Sequence, residues 1–308
     1  MNNQNLNKLI SRILIAFGVM FINLAIFTYL AQIICENVYH IHVANFLGST
    51  NFDHPKPNEL GALRLFFAIN SIGTFIVSSF IIALIFKENP VEYLGLKSFP
   101  KPIYYLIIPI LLLISMPFLS WLIDINSKLQ LPDFLSSIEH ELKSLETKND
   151  NLYKIMLTMP DCASLFINII IMALIPAFGE ELFCRGVLLN ITYDYSGKIF
   201  KSIIIVAVIF TLFHLQFYKF MPMMILAILL GMFINWTQSI WASILFHFLN
   251  NTLAIVGSFY NQRGIKNFMT NEHASVPLIL TLTSFVLTLF CLIWLNKYSK
   301  KLILQNNE

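Results

Sequence analysis

The stretch CASLFINIIIMALIPAFGEELFCRGVLLN, residues 162–190, decides how the chain must fold. It exceeds the roughly 20 helical residues needed to cross a hydrocarbon core, so it reads as a membrane helix. Yet it carries Glu180, Glu181 and Arg185. A carboxylate at that depth costs roughly 2.5–3.5 kcal/mol on insertion scales, so the fold has to supply partners for all three groups. On a helix, Glu181 and Arg185 stand at i and i+4, where side chains meet. Glu180 points about 100° away from Glu181. The economical arrangement is an internal Glu181–Arg185 pair that leaves Glu180 for a water, a proton or a metal.

The rest of the chain fits a helix of this kind. Of 308 residues, 57% are hydrophobic and only 12% charged, with a mean hydropathy of +0.71, which exceeds the apolar share of soluble domains. Apolar runs of spanning length lie near 10–34, 61–86, 103–123, 162–190, 198–218, 220–236, 239–260 and 275–296. The fold class is therefore all-α, a polytopic membrane helix bundle of about eight transmembrane helices. The first run is too long for a secretory leader and lacks a small-residue cleavage site, so it is read as a retained helix. The net charge of +3 is small and scattered, which excludes a nucleic-acid surface. Cys35, Cys162, Cys184 and Cys291 are spaced singly, with neither zinc-knuckle nor redox spacing; Cys35 and Cys162 both fall toward the outer face, which leaves a disulfide between them conceivable.

Basic residues orient the bundle. Lys8, Arg12, Lys87, Lys97, Lys101, Lys198, Lys201, Lys297, Lys300 and Lys301 all fall on one side if both termini are cytoplasmic. The segment from Asp124 to Asp161, with seven acids against four lysines, then lies outside. Its middle has apolar residues at helical spacing among charges, as an amphipathic surface helix does, and is expected to be a solvated linker. The domain organisation expected is three N-terminal helices over 1–123, this loop over 124–161, a helix core over 162–260, and a last helix with a basic tail over 261–308. A cell-membrane location is expected.

Two further polar points interrupt apolar helices: His214 in FTLFHL, and His247 with Asn251 in SILFHFLNN. His247 and Asn251 share one face. A single histidine in such a helix is more often an interhelical hydrogen-bonder than a catalyst, but here several polar groups recur in order. His40, His42, His54, His140 and His273 are read as loop residues at the surface.

Glu180, Glu181 and Arg185 form EExxxR, Phe210 and His214 form FxxxH, and His247 and Asn251 form HxxxN. In that order the motifs resemble the CPBP family of intramembrane proteases, the CAAX-processing and bacteriocin-processing or Abi group related to type II CAAX prenyl endopeptidases. The resemblance covers about residues 160–260; EYLGLK, residues 92–97, adds little to it. It implies an intramembrane endopeptidase acting on a membrane-associated or lipidated protein or peptide. Glu180 would be the general base, and His214 would help hold the water. His247 and Asn251 would donate to the oxyanion, and Phe210 would wall the site from lipid. The family is often labelled metalloprotease, and Glu180, His214 and His247 would then be the zinc ligands. Against a required metal stand the absence of HExxH and of any acid near either histidine in sequence. A non-enzymatic scaffold, chaperone or transporter that keeps the polar cluster is the rival reading.

Depth sets a further constraint. Counted at about 1.5 Å per residue from Cys162 at the outer face, Glu180 comes out near the inner face, whereas His214, counted from Lys198, comes out near the outer one. The two converge only if the glutamate helix continues to at least Leu189, bent or tilted around Pro176. Glu180, His214, His247 and Asn251 are then expected around one water-holding cavity open to the inner half.

Overall fold

The computed structural model describes residues 3–48, 55–265 and 276–307; His54 and His273 lie outside them. Among the described residues the chain is helical throughout, with no strand. The longer helices are α1 (Asn3–Tyr39), α2 (Pro57–Ile85), α3 (Pro102–Ser127), α4 (Ser136–Met156), α5 (Cys162–Ser196), α6 (Ile199–Phe213), α7 (Phe220–Thr237), α8 (Ile240–Asn261) and α9 (Leu278–Asn307). Seven of the nine are long and apolar enough to cross a membrane, α6 is a shorter apolar helix, and α4 is the amphipathic one. The chain is thus an all-helical, multi-pass bundle. Its surface suits lipid: Leu14, Tyr29, Leu106, Phe200 and Phe290 are all large, apolar and well exposed, with no aqueous reason to be so.

Three apolar clusters hold the helices together. One joins α1, α2, α5, α6 and α7 around Leu182, Val187, Ile203 and Ala227. A second ties α1, α2, α5 and α8 to the end of α4, around Leu63, Met156, Met159 and Ala173. The third lies among α3, α7, α8 and α9 around Ile108, Phe233 and Phe246. The Phe27 ring of α1 lies flat over Gly73 of α2, so that a Cβ there would fall 1.9 Å from Phe27 Cγ. A polar bond from Asn70 Nδ2 to Thr28 Oγ1, 2.9 Å, crosses the same contact.

The glutamate helix does not stop at the glutamates. Helix α5 runs through Ser196 and ends where Gly197 turns left-handed at φ 59°. It is not uniform: wide π turns occupy Ile169–Leu174 and Leu182–Leu188. Pro176 follows the first. Proline has no N–H and crowds the carbonyl four residues back, and a widened turn is one of the ways a helix accommodates that. The two glutamates sit on the α turn between the two wide ones.

Helix α6 departs from the expected 198–218. It ends at Phe213, His214 occupies the C-cap, and Leu215 turns left-handed at φ 51°. A β-carbon disfavours that conformation, and no glycine or proline marks it. Residues 214–219 form a turn that leads into α7. The acidic α4 is also more than a linker, because its C-terminal carbonyls are held by the bundle. Arg64 Nη2 donates to Thr158 O at 2.8 Å, Asn168 Nδ2 to Met156 O at 2.7 Å, and Gln262 Nε2 to Leu157 O at 2.7 Å. His140 stands on this helix, not in a loop.

All four cysteines are free, and Cys35 is fully buried with its Sγ 3.2 Å from Ala62 O. The conceivable Cys35–Cys162 disulfide is absent.

Candidate active site

Glu180 and His214 are level for a reason the hairpin makes plain. Helices α5 and α6 meet at Gly197. Glu180 lies 16 residues above Ser196, about 24 Å, and His214 lies 15 above Ile199, about 22 Å. Helix α8 begins higher. A Cβ on Gly186 would meet Leu94, and one on Gly95 would meet Ile240. The short EYLGLK segment is thus wedged between α5 and the start of α8, and it lifts His247 to the same level.

The side chains converge accordingly. His214 Nε2 is 3.8 Å and His247 Nε2 is 4.0 Å from one oxygen, Oε2 of Glu180. The second ring nitrogens are both committed. His214 Nδ1 lies 2.8 Å from the carbonyl oxygen of Phe210, and His247 Nδ1 lies 2.9 Å from Glu181 Oε1. Both partners only accept, so each ring carries its proton on Nδ1. In the neutral rings both Nε2 lone pairs then point toward Glu180.

Glu181 is the anchor of the arrangement. It is fully buried, and it receives Arg185 Nη1 at 3.0 Å as well as His247 Nδ1. Ser243 Oγ stands 2.5 Å from its other oxygen and 3.0 Å from Leu230 O. A hydroxyl has one proton, and the nearer, charged acceptor takes it. Arg185 is buried too. It passes its Nη2 to Ala227 O of α7 at 2.9 Å and lies over the Phe210 ring, 5.0 Å from its centre. Phe210 also touches the His214 ring at 4.3 Å and meets His247 edge-on at 6.2 Å. It is packed among the polar groups, holding both rings and the guanidinium in place.

Asn251 stands one turn beyond His247 on α8, half-buried, with its Oδ1 3.4 Å from Asn250 Nδ2. No bond joins it to either carboxylate among the described residues. The cluster is not an enclosed cavity. The His214 side chain is 32% exposed and that of Glu180 16%, so the site is a recess open on the His214 side, at the α4 end of α6 and not at the Gly197 end expected to be cytoplasmic. Two apolar clefts, of about 340 and 180 Å³, lie elsewhere and contain no member of the cluster.

One participant and one bond had no motif to announce them. Ser243 is four residues before His247 and therefore on its face, a signal present in the spacing SxxxHxxxN. The Glu181–His247 bond joins residues far apart in sequence, and it supplies the orienting acid that sequence proximity did not show.

The family model described as Type II CAAX prenyl endopeptidase Rce1-like matches residues 162–253. That range covers all three motifs, so this part of the chain is similar to that family, as the motifs implied. No curated protein and no solved structure matches the chain.

Proposed function

We propose that the chain is a CAAX-type intramembrane endopeptidase that hydrolyses a peptide bond of a membrane-associated or lipidated protein with a water activated by Glu180. One observation carries this reading: a carboxylate and two imidazoles, from three helices, meet within 4.0 Å at one depth inside the bundle. The similarity of residues 162–253 to prenyl endopeptidases supports the same reaction class.

The chemistry follows from proton counting. A water resting on Glu180 Oε2 and both Nε2 atoms has only two protons for three acceptors. It donates one to Glu180 and one to His214. His247 must then itself donate, which its Nε2 does only in the doubly protonated ring. Glu181 accepts from Nδ1–H and orients that ring. Glu180 takes the proton as the water's oxygen attacks the carbonyl carbon. His247 Nε2–H and the Asn251 amide donate to the resulting oxyanion. Glu180 returns the proton to the leaving nitrogen as the C–N bond breaks.

A metal-dependent reading rests on a specific feature. Nδ1–H fixed by a carboxylate or a carbonyl, with Nε2 turned inward, is how zinc-binding histidines are held. The donor spacing argues the other way. Ligands at 2.0–2.1 Å in a tetrahedron stand about 3.3 Å apart, closer than the 3.8 and 4.0 Å found here. Among the described residues no three His, Cys, Asp or Glu side chains are grouped to hold a metal.

The test is comparative proteomics of membranes from cells that lack the protein, carry it, or carry Glu180→Ala. The deletion and Glu180→Ala should accumulate the same uncleaved precursors, and Asn251→Ala should slow their processing by about 100- to 1,000-fold, as loss of one oxyanion donor does. Normal processing with a well-folded Glu180→Ala protein would show a scaffold in place of a hydrolase. Activity lost on chelation and restored by zinc would favour the metal reading.

A further inference from the structure

His214 is the one member of the cluster that lies outside a regular helix. Its own backbone bonds are long: His214 N to Thr211 O at 3.3 Å and Leu215 N to Leu212 O at 3.2 Å. The turn that follows frees backbone groups that α6 no longer pairs, and a backbone N–H or C=O shielded from water needs another partner. Those partners come from elsewhere in the protein. Asn126, at the end of α3, donates its Nδ2 to Phe217 O at 3.0 Å and accepts from Met221 N at 2.7 Å, and so grips the turn on both sides. Helix α4 supplies the rest. Glu146 Oε2 accepts from Tyr218 N at 3.0 Å, Glu139 Oε1 accepts from Tyr218 Oη at 3.0 Å, and Asp150 pairs with Lys219 Nζ at 2.9 Å. Glu139, Glu146 and Asp150 are spaced seven and four apart, hence on one face. Glu146 is only 5% exposed on a helix that is otherwise mostly exposed. A linker helix has no cause to bury a carboxylate against a backbone N–H.

We infer that α4 is a clasp for the His214 turn and that Glu146 is a positioning residue, holding the His214 imidazole against Glu180 through the backbone of Tyr218. This rests on the endopeptidase reading only for its functional consequence. The geometry it claims can be tested without turnover.

The measurement is the rate at which diethyl pyrocarbonate modifies His214 in the full-length protein in detergent, read by mass spectrometry with the exposed His42 as the internal reference. Glu146→Ala should raise the His214 rate about tenfold, the order by which losing one hydrogen bond to a charged group shifts a local opening equilibrium. His247, anchored to Glu181, should be unaffected. Glu146→Gln keeps an acceptor oxygen in place and should restore most of the protection. A merely structural loss would lower thermal stability and change both histidines together or neither. An unchanged His214 rate in folded Glu146→Ala protein would overturn the inference. Should that variant not fold, Tyr218→Phe combined with Asp150→Ala decides the matter, since it removes two clasp bonds and leaves the backbone one. Faster His214 modification supports the clasp and an unchanged rate refutes it. The two readings fail separately: normal precursor processing by Glu180→Ala defeats the hydrolase and leaves the clasp standing, whereas unchanged His214 reactivity defeats the clasp alone.

Discussion

At the scale of single residues, Glu181 and Glu180 are neighbours with opposite duties. Glu181 accepts three hydrogen bonds, from Arg185, His247 and Ser243, whereas Glu180 has two imidazoles near it and neither within direct bonding distance. A buried pair is costly to break because the survivor stays charged without a partner, and removing one member typically loses about 3–5 kcal/mol. Arg185→Ala should therefore lower thermal stability severely, and Arg185→Met, which removes the charge and keeps the bulk, should fare no better while Glu181 remains. His247→Ala should retain the fold and lose function. Thermal unfolding of the purified variants, set beside precursor processing, separates the two. An Arg185→Ala protein as stable as the parent would mean that Glu181 does not depend on the guanidinium. The i, i+4 pairing of Glu181 with Arg185 could be read from the sequence because it is local. The bond to His247 could not, because it depends on how α5 meets α8.

At the scale of elements, the long helices follow from hydropathy, and their limits fall within a few residues of the apolar runs for α3, α7 and α8. Where sequence and structure part, the cause is tertiary. Nothing in TLFHLQFYKF marks a stop, since it has neither glycine nor proline. The helix ends there because Asn126 and the acidic face of α4 offer the freed backbone groups other partners. The acidic stripe of α4 was visible as amphipathicity, but amphipathicity alone does not distinguish a face turned to water from one turned to a protein. The contact between α1 and α2 gives a direct test of how closely these elements are fitted. Gly73→Ala would force the Phe27 ring to move, and overpacking of this kind costs about 1–3 kcal/mol. Thermal unfolding should show that loss, and Phe27→Ala in the same chain should recover part of it. No recovery would place the strain somewhere other than against Phe27.

At the scale of the whole molecule, the basic loops carry the expectation of which face is cytoplasmic. The exposed Cys162 at the start of α5 makes that orientation measurable, because Cys35 and Cys184 are buried. In intact cells whose outer layers have been removed, a membrane-impermeant maleimide should label Cys162 without detergent. Labelling only after permeabilisation would invert the bundle, move α4 to the inside, and open the recess toward the other face.

One consequence of the short α6 concerns the lipid rather than the protein. Fifteen residues span about 22 Å, against the roughly 30 Å of an average hydrocarbon core. Leu212, Phe213 and Leu215 at its end are exposed and apolar, with α4 overhead. One way for annular lipids to meet such a helix is to thin, with splayed chains and a headgroup plane that dips toward the protein. Thinning there would lower the aqueous boundary toward the side from which the recess opens at His214. A hydrolase embedded in oil needs a supply of its second substrate, and a dimple of this kind would deliver water to the carboxylate without any channel being built for it.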